Sequence, residues 1–155
     1  MKLYELLSES GFIVDLKSKK KNEILKNMVS LLAKKNDFDE EEVLNGIMTR
    51  ESIMSTGLGQ GVAIPHTKAK SAKKVIVGFA RFKNGIDFDA IDGEPVHLVF
   101  MVIVPQDATM SQIKILARIS RLLKHNYIRE RLKTQKTKEE ILGFIMEEEE
   151  RHLPH

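Results

Sequence analysis

The 155-residue chain has no cysteine, which excludes disulfides, thiolate metal sites and a thiol nucleophile together. Tryptophan is also absent, and aromatic residues make up only 6% of the chain. With a formal net charge of just +3, both the stacking platform and the dense basic footprint of a nucleic-acid binder are missing. The longest uninterrupted apolar run, Leu98 to Val104, is far too short to span a bilayer. The opening residues Met1-Lys2-Leu3-Tyr4-Glu5 lack the apolar core of a secretory signal. These absences predict a cytoplasmic protein. What is present, 42% hydrophobic and 30% charged residues, suits one ordinary globular domain. That domain is expected over residues 1–150, with a polar tail over 151–155.

The apolar pattern alternates between strand and helix periods. Leu3, Leu6 and Leu7 suggest a short amphipathic turn, and Phe12 to Leu16 a brief strand. Ser18 precedes a helix from about Lys21 to Lys35, striped by Ile24, Leu25, Met28, Leu31 and Leu32. Asp39 with Glu42 forms a capping box, and Phe38 with Val43 a hydrophobic staple, for a helix that delivers Arg50 and Glu51 at its end. Lys74 to Phe82 reads as a strand, with turns at Asn84-Gly85 and Asp92-Gly93. Val96 to Val104 reads as a central strand buried on both faces. A helix follows from about Met110 to Lys124, with Thr109 and Gln112 in capping-box spacing, and Tyr127 to Leu132 makes a further helical turn. Thr137 and Glu140 start a last helix that ends in a solvated acidic run, Glu147 to Glu150, before His152 and His155 in the tail. Strands interleaved with helices predict an α/β fold: a single domain with a mixed β-sheet flanked by helices on both faces.

The chemistry gathers between Ser55 and His66. Gly57, Gly59 and Gly61 at alternate positions give a backbone able to take positive φ values and to approach an anion. Val62 to Ile64 reads as a short strand, and Pro65, lacking an N–H, is expected to end its ladder and present His66 rigidly. The glycine spacing fits neither a dinucleotide fingerprint nor a phosphate loop closed by Gly-Lys-Ser/Thr. From the residues alone the stretch reads as a possible anion site with a histidine, whose usual pKa of roughly 6.5 makes the neutral form available near pH 7. Arg50, the glycine-loop N–H groups and the hydroxyls of Ser55 and Thr56 are suited to stabilise phosphate, and this inventory requires no metal or cofactor. Lys68, Lys70, Lys73 and Lys74 follow the histidine as a basic patch, read as a solvated loop that could also attract phosphate or an acidic surface.

Arg50-Glu51, Ser55-Thr56-Gly57-Leu58-Gly59 and Val62-Ala63-Ile64-Pro65-His66 together closely resemble the phosphorylation signature of the fructose/mannitol type of enzyme IIA. These are domains of the bacterial phosphoenolpyruvate-dependent sugar phosphotransferase system, and their nitrogen-regulatory relatives share the signature. Gly85 to Val96 and the Val104-Pro105-Gln106-Asp107 turn also resemble the family, so the likeness runs from about Leu3 to Glu148. The resemblance implies that His66 takes a phosphoryl group on Nε2 from the phosphocarrier HPr, with Arg50 steadying it. Onward transfer goes to a IIB domain, or the phosphorylation state regulates a target protein. A membrane enters only indirectly, through a IIC permease. Family members usually carry a second active-site histidine where this chain has Gln112, which donates hydrogen bonds but cannot become cationic. That departure supports an alternative reading: a regulatory docking module with weak or lost phosphotransfer.

Overall fold

The apolar run starting at Val96 forms the spine of the sheet. In a computed structural model, which describes residues 1–11, 15–17 and 20–153, every inward position from Leu98 to Val104 is fully buried. In chain order the elements are α1 (Leu3–Ser10), α2 (Lys21–Lys35), α3 (Glu40–Ile53), β1 (Gly57–Gly59), β2 (Val62–Ala63), β3 (His66–Ala69), β4 (Ile76–Ile86), β5 (Val96–Pro105), α4 (Thr109–Leu123), α5 (Asn126–Thr134) and α6 (Lys138–His152).

Strand β5 pairs antiparallel with β4 along one edge, with Val77 opposite Val102. Along its other edge it pairs in parallel, first with β2 (Val62 opposite Leu98) and then with β3 (His66 opposite Val102). β1 closes a hairpin onto β2. β2 and β3 are thus two halves of one strand, interrupted at Ile64-Pro65. Pro65 was expected to end the ladder. It does not, because a proline that lacks a donor keeps its acceptor: its carbonyl receives the Val102 N–H at 2.9 Å, and pairing resumes at His66.

Alternation along β5 sorts the core into two layers. Leu98, Phe100, Val102 and Val104 pack with Leu3 and Leu7 of α1 and the apolar faces of α4, α5 and α6. Val99, Met101 and Ile103 pack with Ile24, Leu25 and Met28 of α2 and Val43 and Ile47 of α3. Helices therefore cover both faces of a mixed sheet, as expected.

Several local expectations are corrected. The opening turn is a two-turn helix, α1. Asn84-Gly85 makes no turn; β4 runs through it to Ile86, with a shift in register after Arg81 and Gly85 at φ 74°. Only half of the first capping box forms. Asp39 accepts the Glu42 N–H at 3.2 Å, while the Glu42 carboxylate turns to the N–H groups of Lys70 and Ser71, both at 3.0 Å. The acidic run is not a solvated end: Glu149 is fully buried, 2.6 Å from Arg118 Nε, and accepts the N–H groups of Leu3 and Tyr4. α6 continues to His152, so part of the expected tail is helical. Phe12, Ile13, Val14 and Ser18 lie outside the described residues; from that segment, Asp15 bridges to Arg81.

Candidate functional site

Gly46 sets the position of the site. A Cβ at this residue would overlap the Thr67 hydroxyl and lie 3.2 Å from Thr67 Cβ, so a glycine lets α3 lie directly on β3. Arg50 is one helical turn further along the same face. Close packing at Gly46 thereby carries a guanidinium to the strand that begins with His66.

His66 is half-buried, and its Nδ1 is 2.7 Å from the Ile64 carbonyl oxygen. A carbonyl only accepts, so Nδ1 bears the proton and Nε2 keeps its lone pair. Burial holds the imidazole pKa below its usual value. The Ile64 hydrogen bond opposes that shift, the Arg50 charge adds to it and the Glu51 charge opposes it. The result is a neutral ring with one nucleophilic nitrogen.

A cleft of about 410 Å³ opens at this histidine, lined by Arg50, His66, Thr67, Lys68, Gln106 and Gln112. Arg50 Nη1 donates to the Met54 carbonyl at 2.6 Å, which fixes the guanidinium across the end of α3. Lys68 Nζ donates to Thr109 Oγ1 at 2.9 Å. Gln112 stands in the first turn of α4. The Thr109–Gln112 capping box does not form: Ala108 is the cap residue, it gives no side-chain cap bond, and the Gln112 N–H goes to the Ala108 carbonyl at 3.0 Å.

Three of the expected site residues, His66, Arg50 and Gln112, therefore meet at one cleft. The others are placed differently. Ser55 spends its hydroxyl proton on the Phe88 carbonyl at 2.8 Å and accepts from the Gly57 N–H. Thr56 is buried, and its hydroxyl and N–H both go to the Glu51 carboxylate. Lys21 Nζ lies 2.8 Å from the same carboxylate. Gly59 and Gly61, at φ 95° and 81°, shape the β1–β2 hairpin, where the Gln60 N–H is taken by Asp92 and the Gly61 carbonyl accepts from His97 and Leu98. Gly57, Gly59 and Gly61 do not line the cleft. Their part is to hold the hairpin that leads into Pro65.

Glu51 and Gln106 enter the site with no role expected from sequence, and Lys68, expected only within a basic patch, lines the cleft itself. Alternation would have placed Lys68 on the face of His66, had β3 been recognised as a strand. Among the described residues, no group of three or more His, Cys, Asp or Glu side chains is arranged to hold a metal ion, and no helix is long and apolar enough to cross a membrane.

Residues 5–148 match the family described as "Phosphoenolpyruvate-dependent sugar phosphotransferase system, EIIA 2". The chain belongs to this family. A curated relative, the PTS system fructose-specific EIIABC component of Bacillus subtilis, is 35% identical over 94% of this chain, although the chain spans only 23% of that protein. The nitrogen regulatory protein of Bradyrhizobium diazoefficiens is 33% identical, with 94% of this chain and 95% of the relative covered. Among solved structures, the nitrogen regulatory protein IIA-Ntr of Neisseria meningitidis superposes with a TM-score of 0.86 at 32% identity, covering 92% of this chain and 98% of that one. The chain thus shares its overall fold with a solved IIA-Ntr structure. Family members are phosphotransfer components, and both sugar-specific and regulatory proteins are among these relatives.

Proposed function

We propose that the protein is a phosphohistidine carrier of the phosphoenolpyruvate-dependent phosphotransferase system. The observation that carries this reading is the 2.7 Å bond from His66 Nδ1 to the Ile64 carbonyl, which leaves Nε2 as the unprotonated nitrogen beside a cleft that holds Arg50. In the step, the Nε2 lone pair attacks the phosphorus of a phosphoryl group carried on the imidazole of HPr or an HPr-like donor. A new N–P bond forms, the donor N–P bond breaks, and its electron pair returns to the donor ring. The proton stays on Nδ1, which donates to the Ile64 carbonyl throughout, so the phosphorylated ring keeps its orientation. Phosphoryl transfer asks a protein mainly for positioning and charge stabilisation, and Arg50 supplies a forked cation. Ser55 and Thr56 act one step back, by fixing the loop that leads to Pro65. The acceptor is a IIB domain or a regulated target, both met in the cytoplasm.

Intact-mass spectrometry after incubation with phosphoenolpyruvate, enzyme I and HPr tests the reading, with His66→Ala beside the wild type. An acid-labile gain of one phosphoryl group, absent from the variant, is the expected result. Equal labelling of the variant, or no labelling with cognate donors, contradicts it. Gln112 favours a second reading, a docking module on the same scaffold with little phosphotransfer. It predicts binding to a regulated partner that His66→Ala leaves unchanged.

A further inference from the structure

Lys68 is the second residue beyond His66 on β3, and alternate strand residues project from the same face. Both side chains line the cleft. The Lys68 ammonium reaches across to α4 and donates to Thr109 Oγ1 at 2.9 Å, one turn before Gln112. No carboxylate lies within ion-pair distance of it among the described residues. Lys21 and Lys73, by contrast, are paired with Glu51 and Asp37. A lysine held by a neutral hydroxyl keeps its full charge for another anion, and an ammonium has three protons to give.

The other groups in the cleft leave a gap that this charge fits. Arg50 is the only other cation lining it among the described residues, with Nη1 already given to the Met54 carbonyl. Gln106 and Gln112 are neutral at any working pH. A phosphoryl group on His66 adds negative charge, and one forked cation is a thin counterweight.

We propose that Lys68 is the second cation of the phosphoryl site and supplies the charge that Gln112 cannot. This rests on the reading of His66 as the phosphoryl carrier. On phosphorylation, the ammonium releases Thr109 and donates to a phosphoryl oxygen, so Thr109 parks the side chain while the site is empty.

Lys68→Met keeps length and removes charge, Lys68→Arg keeps charge, and Thr109→Val removes only the parking bond. The initial rate of phosphoryl transfer from phospho-HPr and the lifetime of the phosphohistidine are measured for each. Removing one preorganised donor to developing charge typically slows a reaction by roughly 10²-fold or more. A fall of about 10²-fold in Lys68→Met, recovery in Lys68→Arg, and near wild-type transfer in Thr109→Val are expected. In the double variant Lys68→Met with Gln112→His, transfer recovers only at acid pH, where the new imidazole is charged. Unchanged transfer in Lys68→Met overturns the proposal, and so does an equal fall in Thr109→Val, which would assign the effect to the tether.

A titration with inorganic phosphate, followed through the His66 ring resonances, separates this proposal from the carrier reading. Binding that weakens at least several-fold in Lys68→Met upholds Lys68 as an anion ligand even if HPr does not label His66. Binding equal in the two proteins overturns it.

Discussion

His66 Nδ1 and the Ile64 carbonyl oxygen are 2.7 Å apart, two residues from each other across Pro65. The proline restricts the backbone between them, so the bond is closed within a rigid three-residue segment. It selects the tautomer with hydrogen on Nδ1. Long-range proton–nitrogen spectra should show that single tautomer above pH 7, and a mixture of tautomers would contradict the geometry.

The same ring makes a pH prediction. Burial first, and the Arg50 charge after it, hold the His66 pKa below the ordinary 6.5. The unfolded chain then binds more protons than the folded one between those two values. Stability from this group is therefore complete above about pH 6.5 and declines as pH falls through the folded-state pKa. Phosphoryl acceptance should hold its plateau to below pH 6.5 and then drop. Arg50→Gln removes a cation, so the His66 titration midpoint should move upward. A downward move would mean that Arg50 does not act on the ring.

Gly46→Ala tests the contact between α3 and β3. The substitution favours an isolated helix by up to about 1 kcal/mol. Here, however, the added Cβ overlaps the Thr67 hydroxyl and sits 3.2 Å from Thr67 Cβ. Overpacking of this kind costs about 1–3 kcal/mol, so a net loss of stability is expected in urea titrations. Adding Thr67→Ala should restore much of it. Phosphoryl acceptance should fall with Gly46→Ala because Arg50 moves with the helix.

The long-range nature of these contacts explains what could be read in advance. The helix stripes of Ile24 to Leu32 and the apolar run of β5 are local, periodic signals, and both elements form where the pattern predicts. His66 and Arg50 are legible from the signature and Gln112 from the departure at the second-histidine position, and the three share one cleft. Pro65 lets the pairing resume because it lacks an N–H but keeps a carbonyl acceptor, which its residue type alone does not put to use. Ser55 and Thr56 look like phosphate ligands in a linear motif. Their hydroxyls are claimed by Phe88 and Glu51, partners that no local pattern reveals for Ser55. The same holds for the acidic run, where burial of Glu149 depends on Arg118 from a different helix.

Glu51→Gln should loosen the loop that precedes the strand break. The Glu51 carboxylate, only 6% exposed, holds the Thr56 hydroxyl and N–H and pairs with Lys21. Loss of a charged acceptor from partly buried donors costs about 1.5–3 kcal/mol. Faster amide exchange at Thr56 and slower phosphoryl acceptance are the expected signs. Wild-type exchange at Thr56 would show that the loop is held by other means.

Arg118→Met strands the fully buried Glu149 carboxylate with two backbone donors. Breaking one side of a buried ion pair costs roughly 3–5 kcal/mol, whereas replacing both partners with apolar groups is often near neutral. Denaturant unfolding of Arg118→Met should show a loss in that range, partly recovered by Glu149→Leu in the same chain. A loss below about 1 kcal/mol would mean that the pair is solvated.

His66 is proposed to carry phosphate on Nε2 because its Nδ1–H is held by the Ile64 carbonyl. The most direct measurement is a proton–nitrogen correlation spectrum of the isotope-labelled protein after phosphorylation by phosphoenolpyruvate, enzyme I and HPr. A phosphorus coupling at His66 Nε2, with Nδ1 still protonated, is the predicted result. Phosphorus at Nδ1, or on any residue other than His66, would contradict the account.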